Sequence, residues 1–298
     1  MLPKSIKREA MAEFLGTFML MAFSDGANAQ WLLSGGTQGS SLSIYLSQGI
    51  GVMMGIYISG GVSGGHINPA VTIAQAVRGR LPWVKVPFYL AGQYGGSFIA
   101  SLSIYLVYSD ALYHFDGGVR ATKGQNGTAG IWATYPRGFL SVTNSIVDQI
   151  FGAAVLLVCV SALSDQRNMN TSSGLLPICT GLVVFVINST FCFNCGCAMN
   201  PARDLSPRLF TAMAGWGSEP FSFKGYSYFW VPVLCPHIGA ILGTLIYDVC
   251  VGFHWPDQEG THDGNPEPVW IPRTPDKIKQ TEYQFENDEL DCLLETTL

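Results

Sequence analysis

Gly60-Gly61-Val62-Ser63-Gly64-Gly65-His66-Ile67-Asn68-Pro69-Ala70 is a glycine-rich, mostly uncharged run that ends in an Asn-Pro-Ala triplet. The triplet returns in the other half of the chain, closing Asn194-Cys195-Gly196-Cys197-Ala198-Met199-Asn200-Pro201-Ala202. Asn is a good helix N-cap and Pro is favoured at the first helical position, so each triplet predicts a helix start. Each run is too short to span a bilayer and opens a short helical stretch. A loop feeding a half-length helix, once per half of an apolar chain, predicts a site at the bilayer midplane where two discontinuous helices meet.

The rest of the chain supplies the membrane. Of 298 residues, 48% are hydrophobic and 12% charged, well below the roughly 25% charged of a soluble domain. Apolar runs lie at 10–33, 42–59, 84–108, 145–163, 175–193 and 229–253, each close to the roughly 17–25 residues of a spanning helix. Six spans and two half-spans predict an all-α membrane protein with one channel domain over 9–254, its repeat halves about 9–108 and 145–253. Residues 1–8 precede it as a cytosolic N-terminus. The first run is too long for a signal peptide, carries Glu13 and lacks a small-residue cleavage site. Lys4, Lys7 and Arg8 flank span one and Arg78, Arg80 and Lys85 follow the first half-helix, whereas 34–40 has no basic residue. This places both termini in the cytoplasm. The net charge of −5 comes from the tail, which has eleven acids against three bases from His254 onward. Rich in Pro, Asp, Glu and Thr, residues 255–298 have the composition of a disordered acidic extension.

The halves repeat. Glu13-Phe14-Leu15-Gly16-Thr17 is echoed by Asp148-Gln149-Ile150-Phe151-Gly152, and the acid-to-Asn distances are similar, 68 − 13 = 55 and 200 − 148 = 52. Three spans per half is an odd number, so the second half is inverted and the half-helices meet N-terminus to N-terminus. Three segments carry a resemblance: Ala12-Glu13-Phe14-Leu15-Gly16-Thr17, Gly64-Gly65-His66-Ile67-Asn68-Pro69-Ala70-Val71 and Met199-Asn200-Pro201-Ala202-Arg203-Asp204. Over about residues 9–256 the chain resembles the major intrinsic protein (aquaporin) family. Asp204, Ala133-Thr134-Tyr135-Pro136 and Ala214-Gly215-Trp216-Gly217 resemble its glycerol-permeable branch, the aquaglyceroporins. The resemblance implies a right-handed bundle of six tilted helices and two re-entrant half-helices, one pore per subunit, assembled as a homotetramer.

Opposed half-helix N-termini put positive potential at the midplane and raise the barrier to cations and protons. The amides of Asn68 and Asn200 are expected to donate to a passing oxygen and so interrupt proton hopping, while also capping their helices. Exposed carbonyls before each triplet are tolerable only where they line water, which predicts a ladder at Gly64, Gly65 and His66 and at Asn194, Cys195 and Gly196. Glu13 and Asp148 lie inside the hydrocarbon and need partners; the resemblance implies that they brace the re-entrant loops. It also implies that Arg203 stands at the narrowest outer constriction with Gln48, Asn188 and Cys197. Glycerol channels usually have an aromatic at the place of Gln48 and a small residue at that of Asn188, and often an aromatic at that of Cys197. This ring is therefore expected to be more polar, and its polyol preference is open.

Asp25 and Asn28 share a face of span one and are read as lying near its outer end, in contact with water or a neighbour, rather than as a pH-sensing vestibule. Most of the eight cysteines fall in apolar spans and are expected to be free, despite the Cys192, Cys195, Cys197 spacing. Cys197, with Cys195 beside it, is expected to meet thiol reagents from the pore. His66 reads as a wall or bracing residue. No catalytic constellation, metal site, cofactor site or nucleic-acid patch is evident, so no enzyme is read. Asn126-Gly127-Thr128 is a glycosylation sequon in the long extracellular connection. Thr296-Thr297-Leu298 could join a PDZ domain as an added strand, and Glu289 to Leu294 resembles a dileucine sorting signal. The expected function is a passive channel in the plasma membrane for water and small uncharged solutes such as glycerol. The alternatives are an ion-coupled transporter using Asp25 and a poorly permeable junctional protein of the same fold.

Overall fold

A computed structural model describes residues 4–255, and every regular element among them is helical. The long helices are α1 (Lys4–Leu33), α2 (Ser41–Ser63), the half-helix α3 (Pro69–Val77) and α4 (Val86–Val107), followed by the short α5 (Ser109–Asp116). The second half contains α6 (Val142–Ser164), α7 (Leu176–Phe191), the half-helix α8 (Pro201–Thr211), the one-turn α9 (Glu219–Ser222) and α10 (Val231–Tyr247). A π turn over Asp248–Gly252 extends α10. Proline in the first turn of α4, α7 and α10 marks where those helices begin.

The six predicted spans each correspond to one long helix. Two features differ from the sequence reading. Helix α1 starts six residues before its apolar run, and Glu9 in that added length is tied to Lys85 Nζ and the Tyr89 hydroxyl, both at 2.8 Å. The connection after α4 contains α5, stopped by Gly117 at φ 64°, and a 3-10 turn at Ala129–Ile131. Among the described residues, three elements are long and apolar enough to cross a membrane: α2, α6, and α10 with its π turn. Helix α7 is apolar but has 16 residues. In α1 and α4 the apolar pattern is diluted by Glu13, Asp25, Gln93, Ser97 and Ser101, all fully buried. Outward-facing Leu15, Leu46, Leu106, Val147, Leu182 and Leu245 give the bundle an apolar exterior, as lipid contact requires.

Helix α1 packs on α2 and α4, α6 packs on α10, and α2 meets α7 across the seam between the halves. The seam is backbone on backbone. A methyl added at Gly49 would lie 2.6 Å from the Gly181 carbonyl oxygen, and one at Gly181 would lie 2.6 Å from that of Gly49. Such close approach is what small residues allow in membrane helices. Reciprocity of this kind marks a two-fold relation, and its offset of 181 − 49 = 132 equals the 200 − 68 = 132 between the Asn-Pro-Ala boxes.

Candidate functional site

The two half-helices start against each other. Asn68 caps α3, its Oδ1 accepting from Ala70 N at 2.9 Å, and Asn200 caps α8 by accepting from Ala202 N at 3.0 Å and Arg203 N at 3.3 Å. Each amide nitrogen then donates across the junction, Asn68 Nδ2 to the Met199 carbonyl at 3.1 Å and Asn200 Nδ2 to the Ile67 carbonyl at 2.9 Å. An amide nitrogen has two hydrogens, so each Asn keeps one donor beyond this bond. Pro69, Ala70, Pro201 and Ala202 form the first turns and are buried.

A cavity of about 170 Å³ runs past this junction. One part of its wall is apolar, from Leu20, Val52, Ile56, Val71, Leu156, Val160 and Val184. A polar strip comes from Gly64, Gly65, His66 and Asn68 in the first half and Cys197, Ala198 and Asn200 in the second. Gln48, Asn188, Cys197 and Arg203, the four expected constriction residues, all border this same cavity. Asn188 Nδ2 donates to Gln48 Oε1 at 2.7 Å, and the Cys192 thiol approaches Asn188 Oδ1 at 3.5 Å. Arg203 Nη1 donates to the Trp132 carbonyl at 2.6 Å.

Glu13 is fully buried and takes four hydrogen bonds: from His66 N at 2.9 Å, Ile67 N at 2.6 Å, Ser63 Oγ at 2.6 Å and Gln93 Nε2 at 2.7 Å. Gln93 also reaches Thr72, whose hydroxyl lies 3.2 Å from His66 Nδ1, and the His66 ring packs 5.1 Å from that of Tyr89. Asp148 is arranged differently from Glu13. It is half-buried and accepts from the side chains of Asn194 at 3.0 Å and Cys195 at 2.8 Å. The backbone bond equivalent to Glu13–Ile67 is made by its neighbour, where Met199 N donates to Gln149 Oε1 at 3.3 Å. The sequence carried a signal for this: Gly16 follows Glu13 by three residues, and Gly152 follows Gln149 by three.

The second carbonyl ladder is corrected in the same way. Positive φ occurs at Gly64, Gly65 and Ile67 and, offset by 132, at Gly196, Cys197 and Met199. The segment equivalent to Gly64–His66 is therefore 196–198, and Cys197 and Ala198 border the cavity whereas Asn194, Cys195 and Gly196 do not. The Asn194 carbonyl is taken by Arg137 N at 3.0 Å. Cys195 is fully buried, which removes it from the face expected to meet thiol reagents, and its carbonyl accepts from the Tyr228 hydroxyl at 3.4 Å.

Asp204 and Thr134 form a buried support under α8 with Arg208. Asp204 Oδ2 accepts from Thr134 N at 2.9 Å and Thr134 Oγ1 at 2.5 Å, while Asp204 Oδ1 accepts from Arg208 Nε at 2.8 Å. Arg208 is fully buried and also donates to the Pro220 and Thr134 carbonyls at 2.7 and 2.6 Å, with Tyr135 4.7 Å from its guanidinium. Asp25 is fully buried rather than water-facing, and it accepts from the Ser101 hydroxyl at 3.0 Å. Outside the spans, burial opposes ionisation of Asp165. Hydrogen bonds from Arg167 and Tyr247 outweigh it and hold the carboxyl below its ordinary value. Asn126 is exposed on a turn closed by Gly127 N to the Gly124 carbonyl at 3.1 Å, while Thr128 is buried. The tail motifs, Glu289 to Leu294 and Thr296 to Leu298, lie outside the described residues.

Comparison with known proteins agrees with this geometry. The family model described as Major intrinsic protein matches residues 2–247. Aquaporin-9 of Homo sapiens is 46% identical over 258 residues, covering 87% of this chain and 87% of that protein. Aquaporin-10 of Milnesium tardigradum is 47% identical over 264 residues, covering 84% of this chain and 64% of that longer protein. The X-ray structure of the aquaglyceroporin from Plasmodium falciparum superposes with a TM-score of 0.75 at 29% identity, covering 83% of this chain and 98% of that one.

Proposed function

The chain belongs to the major intrinsic protein family, and on that premise we propose how its residues perform the family's task. The protein is a passive channel for water and small uncharged solutes such as glycerol. The observation that carries the account is the reciprocal bonding of Asn68 and Asn200 across opposed helix N-termini beside the cavity. The remaining amide hydrogen of each Asn donates to an oxygen passing the junction. An oxygen held by two donors has its lone pairs engaged and does not accept a proton from the next water, so the hydrogen-bonded file is interrupted. The two helix N-termini add positive potential at the same point and oppose cations.

At the outer ring Arg203 repels cations and offers its unanchored donors to solute hydroxyls. Glu13, with Gln149 and Asp148 in the other half, holds the loops so that their carbonyls face the lumen. The Gln48–Asn188 amide pair takes the place where an aromatic would pack the carbon chain of a polyol, so discrimination there rests on hydrogen bonding. The channel works as a homotetramer in the plasma membrane with both termini cytoplasmic, each subunit with its own pore, and Thr296 to Leu298 available to a PDZ partner. An ion-coupled transporter would use Asp25 as a titrating site in the path. Asp25 is fully buried and does not border the cavity, which favours the channel.

Stopped-flow light scattering of proteoliposomes tests this, with osmotic steps of sucrose and glycerol and a pH-sensitive dye inside. Water and glycerol are expected to pass without saturation and without proton entry, and mercurial block is expected to be relieved by Cys197→Ala. Proton-coupled or saturable glycerol uptake would sink the reading.

A further inference from the structure

Asp25 and Asn28 lie one turn apart on α1, and neither borders the cavity. Both are nevertheless engaged. Asn28 Nδ2 donates to the Ile131 carbonyl at 3.1 Å, a tie between residues 103 apart in sequence. Asp25 Oδ2 accepts from the Ser101 hydroxyl at 3.0 Å, while its buried Oδ1 has no hydrogen-bond partner among the described residues. Ser101 in turn gives its main-chain carbonyl to Trp132 Nε1 at 3.3 Å. Trp132 is the residue whose own carbonyl receives Arg203 Nη1 at 2.6 Å. Two routes from α1 thus converge on the Ile131-Trp132 dipeptide, and that dipeptide holds the arginine.

The Trp132 carbonyl is the one hydrogen-bond partner of the Arg203 guanidinium among the described residues, and the Asp25 carboxyl also acts on Arg203 through its charge. The direction in which Arg203 turns its remaining donors therefore depends on where this carbonyl is placed. The carbonyl sits just after a 3-10 turn, Ala129–Ile131, and not within a long helix. Helix α1 contributes the Asn28 bond directly, and Trp132 is further fixed by Trp216 and Phe210 at 5.1 and 6.0 Å. Without the Asn28 amide, the Ile131 carbonyl, on a residue 1% exposed, would be left unpaired in the interior, a costly state that the turn can relieve only by shifting.

We propose that Asn28 and Asp25 are positioning residues for the outer ring, fixing Ile131-Trp132 so that Arg203 presents its donors in one setting and thereby governing which solutes pass. The assignment rests on Arg203 being the selectivity residue. Asn28 acts directly, and Asp25 acts one bond further back, through Ser101.

The test is the ratio of glycerol to water permeability in proteoliposomes of the full chain, with Arg203→Ala in the same series. The ratio is independent of the number of active channels, so a variant that only folds poorly leaves it unchanged. Arg203→Ala is expected to move it furthest. Asn28→Ala should move it in the same direction by about fivefold, the order of one hydrogen bond, and Asp25→Ala by less. Asp25→Asn, which keeps an oxygen for Ser101, should return the wild-type ratio. Asn28→Leu, of similar volume and without the donor, is read if Asn28→Ala does not reconstitute. An unchanged ratio in the Asn28 and Asp25→Ala variants beside a shifted Arg203→Ala overturns the proposal, and Asp25→Asn behaving as Asp25→Ala overturns the Asp25 part. An unchanged ratio in Arg203→Ala would overturn the reading of Arg203 itself.

Discussion

The two re-entrant loops share one backbone conformation and are held in place by different chemistry. At matching positions φ is 87° and 79° (Gly64, Gly196), 67° and 43° (Gly65, Cys197), and 45° and 48° (Ile67, Met199). The first loop is gripped from inside the bundle, where one Glu13 carboxylate receives two backbone and two side-chain donors. The second has no single carboxylate of this kind: Gln149 gives it a longer backbone bond and a contact with the Cys195 thiol, and Asp148 meets its side chains. It is held from outside by the connection between α4 and α6, through Arg137 N to the Asn194 carbonyl and through Trp132 and Thr134 onto α8. The inverted repeat has preserved the shape of the loops and left their support free to differ.

This asymmetry can be broken from either side. Glu13→Ala should have the largest effect, because it removes a buried acceptor from four donors and strands the His66 and Ile67 main-chain N–H groups outright. At about 1–3 kcal/mol each, and less than additive, the loss is on the order of 5 kcal/mol, seen as a collapse of the thermal midpoint in detergent together with water flux. A midpoint near wild type would remove Glu13 from its place in the comparison. Asp204→Ala attacks the external support and leaves Arg208 a buried, unpaired cation, at a cost of about 4 kcal/mol. Glycerol flux per folded channel should fall with it, whereas a loss of stability alone would mean that α8 does not need this support to hold Arg203. Gln149→Leu should cost only about 1 kcal/mol. A loss equal to that of Glu13→Ala would mean that the second loop depends on its internal support as much as the first.

The smallest change lies away from both loops. The Asp165 carboxyl is held below its ordinary value in the folded protein. Its contribution is therefore complete above the unfolded carboxylate range near pH 4 and is lost as pH falls through the lower folded value. The midpoint difference between wild type and Asp165→Asn should be present at pH 7 and vanish in acid. A difference that persisted in acid would point to packing of the side chain instead of its ionised hydrogen bonds.

Much of this molecule was legible before its structure. The Asn-Pro-Ala boxes speak through local rules of capping and proline placement, and apolar run length located all six long helices. The four residues proposed for an outer ring came from resemblance, and all four border one cavity. What the sequence hid depended on register and on distant pairing. Asp148 drew attention as the acid, although the glycine three residues after Gln149 marks the position equivalent to Glu13. The stretch equivalent to Gly64–His66 lies two residues beyond 194–196 and is hard to see because its glycines are fewer, and Cys197 and Met199 adopt left-handed backbone that only tertiary context imposes. Trp132 left no signal at all, because its contribution to Arg203 is a main-chain oxygen that any residue would carry.

The crossed bonds of Asn68 and Asn200 also limit how flow could be controlled. Each amide is tied at once to its own helix and to the opposite loop, so neither can swing aside without uncapping a helix and releasing the other half of the molecule. A closing movement at the centre would have to dismantle the fold it belongs to. The midplane is in this sense a fixed orifice with no moving part, and any valve in this protein must sit at one of its mouths.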